Sequence, residues 1–90
     1  MRSVVQGRKV ILKGDTTTTA GVVLTGSDAA NEDGREVARK GDDVFCPVCN
    51  TTSKIVEGTT LSMIKGIEVA LEGHRVDCLC PGGCSLVSIG

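Results

Sequence analysis

The sequence predicts one small all-β domain built from repeated strand-and-turn units, and three observations predict it. A long stretch of the chain recurs without gaps. Apolar residues alternate with a period of two rather than 3.6. The 12 glycines among 90 residues close short β-branched runs, where a turn needs them and a helix would not.

The repeat is read directly. Residues 22–46 overlay residues 54–78 with eight identities: Gly26 on Gly58, Gly34 on Gly66, Glu36 on Glu68, Val37 on Val69, Ala38 on Ala70, Gly41 on Gly73, Val44 on Val76 and Cys46 on Cys78. A fainter copy opens the chain. "GRKVILKGD" (Gly7 to Asp15) matches "GREVARKGD" (Gly34 to Asp42), with Gly7, Val10, Lys13, Gly14 and Asp15 in place. The repeats run over about 7–21, 22–49 and 54–84 of a single domain spanning 1–90.

In chain order, "MRSVVQGRKV" carries charges and lacks the apolar core of a secretory signal. "VILKGD" is a strand-length piece ending in a Gly-Asp turn. "TTTT" (Thr16 to Thr19) predicts a strand or its exposed edge, since threonine favours the extended chain. "GVVLTGS" is a β-branched run closed by Gly and Ser. "DAANEDGREVARK" is the one stretch with a helical option, but Gly34 and a missing apolar stripe count against it. "EVA", "VFC" and "KIVEGTT" complete the strands, with a Gly-His turn at Gly73–His74.

Composition bounds the function. A chain of this length buries roughly 60–65% of its unfolded surface, so its core is marginal without a staple. Phe45 is the sole aromatic residue. The net charge of −1 argues against a general grip on nucleic acid or an anionic membrane. No run of apolar residues is long enough to span a bilayer as a helix. The five cysteines are an odd number, which a closed disulfide framework would not use up. They suit a reducing cytoplasm and a metal.

Those cysteines fall in two clusters, "CPVC" at Cys46–Cys49 and "CLCPGGC" at Cys78–Cys84. Two thiolates separated by two residues form a knuckle that reaches one tetrahedral ion, and the second cluster can supply the rest. The favoured ligands of a structural zinc are Cys46, Cys49, Cys78 and Cys80, with Cys84 and then His74, the one histidine, as substitutes. Cys78 and Cys80, two apart, share one side of a strand. Buried cysteines without metal and a redox CxxC remain alternatives, although the βαβ setting of a thioredoxin-like motif is not visible. A zinc-ribbon-like module for a protein or nucleic-acid partner is a further one; the neutral charge, the missing aromatics and the repeat weigh against it. Catalysis is not expected, because one histidine and sparse carboxylates supply no Ser/His/Asp set.

Repeated "GxxVARxGD" phrases, the "GVVLTGS" run, "CPVC" and a closing Cys-rich turn make the chain resemble the PAAR-repeat proteins, from about Val10 to Ile89. The phrase behind the family name (Pro-Ala-Ala-Arg) stands as "EVAR" at Glu36–Arg39 and as "EVAL" at Glu68–Leu71. The resemblance implies a cone of short strands with pseudo-threefold character, the spike tip of a bacterial type VI secretion system. It implies a broad base docked on a trimeric VgrG spike, one chain per three subunits, and an apex held by zinc. Three repeats in one chain would match a threefold partner without trimerising, so the chain is expected to be a monomer alone. The resemblance implies that it is cytoplasmic before firing and reaches the target envelope only on injection, and it leaves open whether an effector is attached. Family members often place a His where this chain has Cys49, a Cys where it has Cys78, and a His near the end of the first repeat. "GDTTTTAGV" offers no ligand at that last place, so an extra cysteine is expected to fill it and the zinc to lie off the axis. The end at Gly90 carries the expectation that no toxin domain is fused. Strand edges of "GVVLTGS" and "KIVEGTT" are the expected contacts to VgrG.

Overall fold

Twelve short strands make up the regular structure of the described residues, and the helical option over residues 28–40 is not taken. A computed structural model describes residues 4–32, 34–77 and 83–89. Each repeat supplies a hairpin and then two strands. The first holds β1 (Val4–Val5), β2 (Arg8–Lys9), β3 (Thr16–Thr17) and β4 (Val22–Val23). The second holds β5 (Ser27–Glu32), β6 (Arg35–Val37), β7 (Asp43–Cys46) and β8 (Thr51–Lys54). The third holds β9 (Thr59–Ile64), β10 (Ile67–Val69), β11 (Arg75–Val76) and β12 (Cys84–Val87).

The hairpins β1–β2, β5–β6 and β9–β10 turn at corresponding places. Gln6 and Gly7 have φ of 53° and 77°, and Lys65 and Gly66 have 52° and 79°. Two successive positive φ values match the type I′ turn, whose twist suits a tight hairpin. Gly34 keeps the same place with φ 79°. The sequence repeat, which begins at Gly7, therefore understates the first unit: its hairpin starts at β1.

After each hairpin the chain crosses the molecular axis. Ile11 N–H donates to Ala70 O (3.0 Å), Ala70 N–H to Ala38 O (3.0 Å) and Ala38 N–H to Ile11 O (2.9 Å). The three residues thus close a ring of hydrogen bonds in which each backbone gives one and takes one. Flanking bridges Val10 with Leu71, Leu12 with Val37 and Arg39 with Val69 repeat the pattern. One turn later the repeats agree again. Leu12 N–H donates to Asp15 Oδ2 (2.7 Å), Arg39 N–H to Asp42 Oδ2 (2.6 Å) and Leu71 N–H to His74 Nδ1 (3.0 Å).

The remaining strands form an antiparallel sheet ordered β11-β12-β3-β4-β7-β8. Its two ends meet through the Ile55–Val76 bridge and the bond from Val56 N–H to Arg75 O, which curls the sheet around the axis. Pairs Val23–Val44, Ile55–Val76 and Leu86–Thr17 are the same contact made three times. Within "GVVLTGS" and "KIVEGTT", Val22, Val23 and Ile55 are therefore not open edges, whereas Ser27 of β5 and Thr59–Thr60 of β9 lie in strands paired on one side among the described residues. β4 is paired on both sides, by β3 and β7, and Ile55 is bridged to Val76.

Two apolar layers flank the hydrogen-bonded ring. On the sheet side lie Val23, Val44, Ile55, Val76 and Leu86; on the hairpin side lie Val10, Val37 and Val69, with Leu12 and Leu71. Phe45 stays half-buried, so the core is aliphatic throughout. Ile11, Ala38 and Ala70 between the layers are fully buried. One large and two small side chains fill that level. Ile11→Ala is expected to cost about 2–5 kcal/mol by opening a cavity, and Ala38→Ile about 1–3 kcal/mol by overpacking. The double variant moves the large group to an equivalent place, so its urea midpoint should sit above that of Ile11→Ala. Simple additivity of the two losses would mean that the positions do not share one space.

Candidate functional site

Corresponding turns of the three repeats close by different chemistry. In the first repeat, threonine hydroxyls do it. Thr16 Oγ1 donates to Gly21 O (2.7 Å), and Thr17 Oγ1 accepts the Gly21 N–H (2.9 Å) while lying 3.1 Å from Thr19 Oγ1. "TTTT" is therefore β3 followed by a hydroxyl-pinned turn, and Thr17 takes the buried place that Val44 and Val76 hold elsewhere.

In the second repeat, Cys46 ends β7 and is buried, Cys49 is half-buried and Val48 is 68% exposed. Thr19, the counterpart of Cys46 in the first repeat, places Oγ1 3.3 Å from Cys46 Sγ. The Thr19 hydroxyl and the Cys49 backbone N–H hold the Cys46 thiol below its usual range; burial opposes them, and the Val48 N–H assists. N–H donors aimed back at the first sulfur of a CxxC turn are the chemistry a metal thiolate uses.

In the third repeat, Cys84 opens β12 and is buried, and Cys78 and Cys80 lie outside the described residues. Cys49 and Cys84 are each disulfide-bonded, whereas Cys46 keeps its thiol. A zinc ion needs thiolates, so these disulfides and a metal are alternative uses of the same sulfurs. Among the described residues, no three of His, Cys, Asp and Glu converge as a ligand group. Cys46 fits a zinc ligand as it stands; Cys49 and Cys84 fit once reduced.

His74 has a different task. It sits in the repeat turn at the place of Asp15 and Asp42, with Nδ1 occupied by the Leu71 N–H. Burial, then the charge of Arg8, hold its imidazole below the ordinary range, while Glu57 and Glu68 pull the other way.

At the hairpin end lies a depression of about 450 Å³, lined by Val5, Val10, Ala30, Val37, Ile64 and Val69 among others. Val10, Val37 and Val69 are corresponding residues, so the depression sits on the pseudo-threefold axis. Strands β1, β5 and β9 are each paired on one side among the described residues. The apolar third hairpin leaves Leu61 62% and Met63 50% exposed beside it. The first-repeat hydroxyls and this basal depression were missed from the sequence. The former could have been found by laying Thr19 over Cys46.

Because the folded His74 pKa lies below the unfolded value of about 6.5, the unfolded chain takes up the proton first on acidification. Stability present above that value is then lost as pH falls toward the folded one. His74→Asn keeps an acceptor for the Leu71 N–H and cannot titrate. Wild-type protein should therefore lose more melting temperature than His74→Asn between about pH 7.5 and 5.5. Parallel curves for the two proteins would show that His74 is not the titrating group.

The sequence profile described as the PAAR motif matches residues 13–88. No curated protein matches the chain. The match begins just after the first hairpin, which the fold shows to be the structural equal of the other two. With most of its length covered, and three hairpin repeats closed about one axis, the chain belongs to the PAAR-motif family.

Proposed function

We propose that this chain is the structural tip of a type VI secretion spike, seated through its three-hairpin end on a trimeric VgrG with one chain per three subunits. One observation carries the reading: a single chain presents a pseudo-threefold depression lined by the corresponding Val10, Val37 and Val69, with Asn31, Glu32 and Ser62 among its other residues. A threefold partner is matched without trimerising the tip, so the free protein is a monomer. The singly paired strands β1, β5 and β9 can receive partner backbone at the rim. The role is mechanical, not catalytic. It places the protein in the cytoplasm before firing and on the exported spike afterwards, where an effector can ride with it.

At the opposite end, Cys46, Cys49, Cys78 and Cys80 are the proposed zinc ligands, with Cys84 as the substitute. The ion, when bound, crosslinks turns distant in sequence and stiffens an apex that an aliphatic core holds weakly. Thr19 and the turn N–H groups orient the Cys46 sulfur. Only one of the three turns lacks a thiolate, so the ion lies off the axis, toward the second and third repeats. The zinc-ribbon alternative has no observation in its favour beyond the cysteine spacing.

Protein purified under reducing conditions should carry one zinc per chain, and Cys46→Ser or Cys49→Ser should lower both metal content and melting temperature. Full zinc retention in the double variant would sink the ligand assignment. Mixed with VgrG, the chain should elute as a complex of one tip on three subunits by light scattering. Leu61→Glu combined with Met63→Glu should abolish that complex and leave the melting temperature close to wild type, because both side chains are largely exposed. An unchanged complex would place the contact elsewhere.

A further inference from the structure

Arg8 and Arg35 are corresponding hairpin residues whose surroundings differ in one group. Arg35 Nη1 donates to Lys13 O (3.3 Å) and lies 3.4 Å from Asp15 Oδ1. The same Oδ1 accepts the Ile89 N–H at 3.3 Å. A buried carboxylate thus joins a guanidinium to a backbone N–H.

The frame recurs between the third and first repeats. Arg8 Nε donates to Glu72 O (2.8 Å), the counterpart of Lys13 O. Gly58 stands for Ile89, two residues after the corresponding Val56 and Val87. His74 stands for Asp15. Here the carboxylate is missing. His74 spends Nδ1 on the Leu71 N–H, which leaves Nε2 as a donor. The groups face a cavity of about 360 Å³ lined by Gln6, Arg8, Gly58, Thr59, Leu71 and His74 among others, and no acidic residue lines it among the described residues. Glu57 Oε1 is committed to the Arg75 N–H (2.7 Å) and Glu72 Oε2 to the Ser88 hydroxyl (3.0 Å).

We propose that this cavity is an oxyanion site that binds one carboxylate, held by the Arg8 guanidinium, the His74 Nε2–H and the Gly58 N–H, in the place that Asp15 fills in the first repeat. Charge-assisted bonds to a guanidinium are the strong members of such a set. The template is a carboxylate, and a doubly charged phosphate would face the nearby charges of Glu57 and Glu68, which act on His74. The carboxylate comes from a free small acid or from an Asp or Glu side chain of a protein resting there. The cavity borders the hairpin end, since Gln6, Thr60 and Leu61 also line it, so the test uses the chain without a partner.

The test is titration with sodium acetate against sodium chloride at matched ionic strength and neutral pH, read by melting temperature and by the Gly58 amide resonance. The expected result is a saturable rise and shift with acetate alone. Arg8→Gln should weaken the apparent affinity by roughly tenfold or more. Arg8 is only half-buried, so this variant should remain folded. His74→Asp restores the carboxylate of the other two repeats, and should abolish the acetate response while raising the melting temperature. A blocked glutamate binding more tightly than acetate assigns the source to a protein side chain; equal binding assigns it to the free acid. Non-saturable shifts, tighter binding of phosphate, or an acetate response kept in Arg8→Gln or His74→Asp would each overturn the proposal.

Discussion

Everything in this small domain hangs on a ring of three hydrogen bonds. Ile11, Ala38 and Ala70 donate and accept in a cycle, at 2.9–3.0 Å, at the centre of the molecule. Each segment crosses there once, between its hairpin and its sheet strands. The crossing fixes the phase of three repeats at the same time, because a slip of one residue would turn every apolar side chain outward. Buried backbone polar groups tolerate no such slip without losing partners. The bridges beside the ring and the sheet pairs beyond it then follow at equivalent positions.

That constraint separates what must be alike from what is free to differ. The crossing residues, the Gly in each hairpin turn and the side-chain acceptor three residues after Leu12, Arg39 and Leu71 are alike in role. The turns at the sheet end are not. Hydroxyls pin the first and a CxxC knuckle shapes the second. Replacing Asp by His in the third keeps the acceptor for the Leu71 N–H and discards the charge. The local structure survives and the electrostatics change, so Arg8 meets an imidazole where Arg35 meets a carboxylate.

Much of the fold was legible in the sequence because the repeat is carried by glycines and valines with a structural duty. Gly34 and Gly66 mark positive φ, and Val37 and Val69 mark the layer beside the ring, so the overlay located both before any strand was assigned. The first hairpin escaped because Val4 and Val5 correspond to the polar Asn31 and Glu32 of the second repeat and share only apolar character, not identity, with Met63 and Ile64 of the third. The paired edges of β4 escaped as well. A short β-branched run reads the same whether or not its backbone is paired, and the sheet that pairs it joins segments far apart in the chain. At the apex the cysteines announced themselves, whereas Thr17 and Thr19 looked like low complexity. Their function is a geometry of hydroxyls, which composition does not encode.

The axis explains why three repeats in one chain differ from three copies of one repeat. Three identical subunits would have to place the same residue at all three crossing positions. Three isoleucines would crowd a space that here accepts one, and three alanines would leave it underfilled; either departure costs on the order of 1–5 kcal/mol. The single chain uses Ile11 with Ala38 and Ala70, and all three are fully buried. The same freedom operates at the sheet end. One turn there is pinned by the hydroxyls of Thr16, Thr17 and Thr19, and its counterpart carries Cys46 and Cys49. Covalent linkage therefore preserves a threefold face where the hairpins meet and releases the opposite end from threefold symmetry.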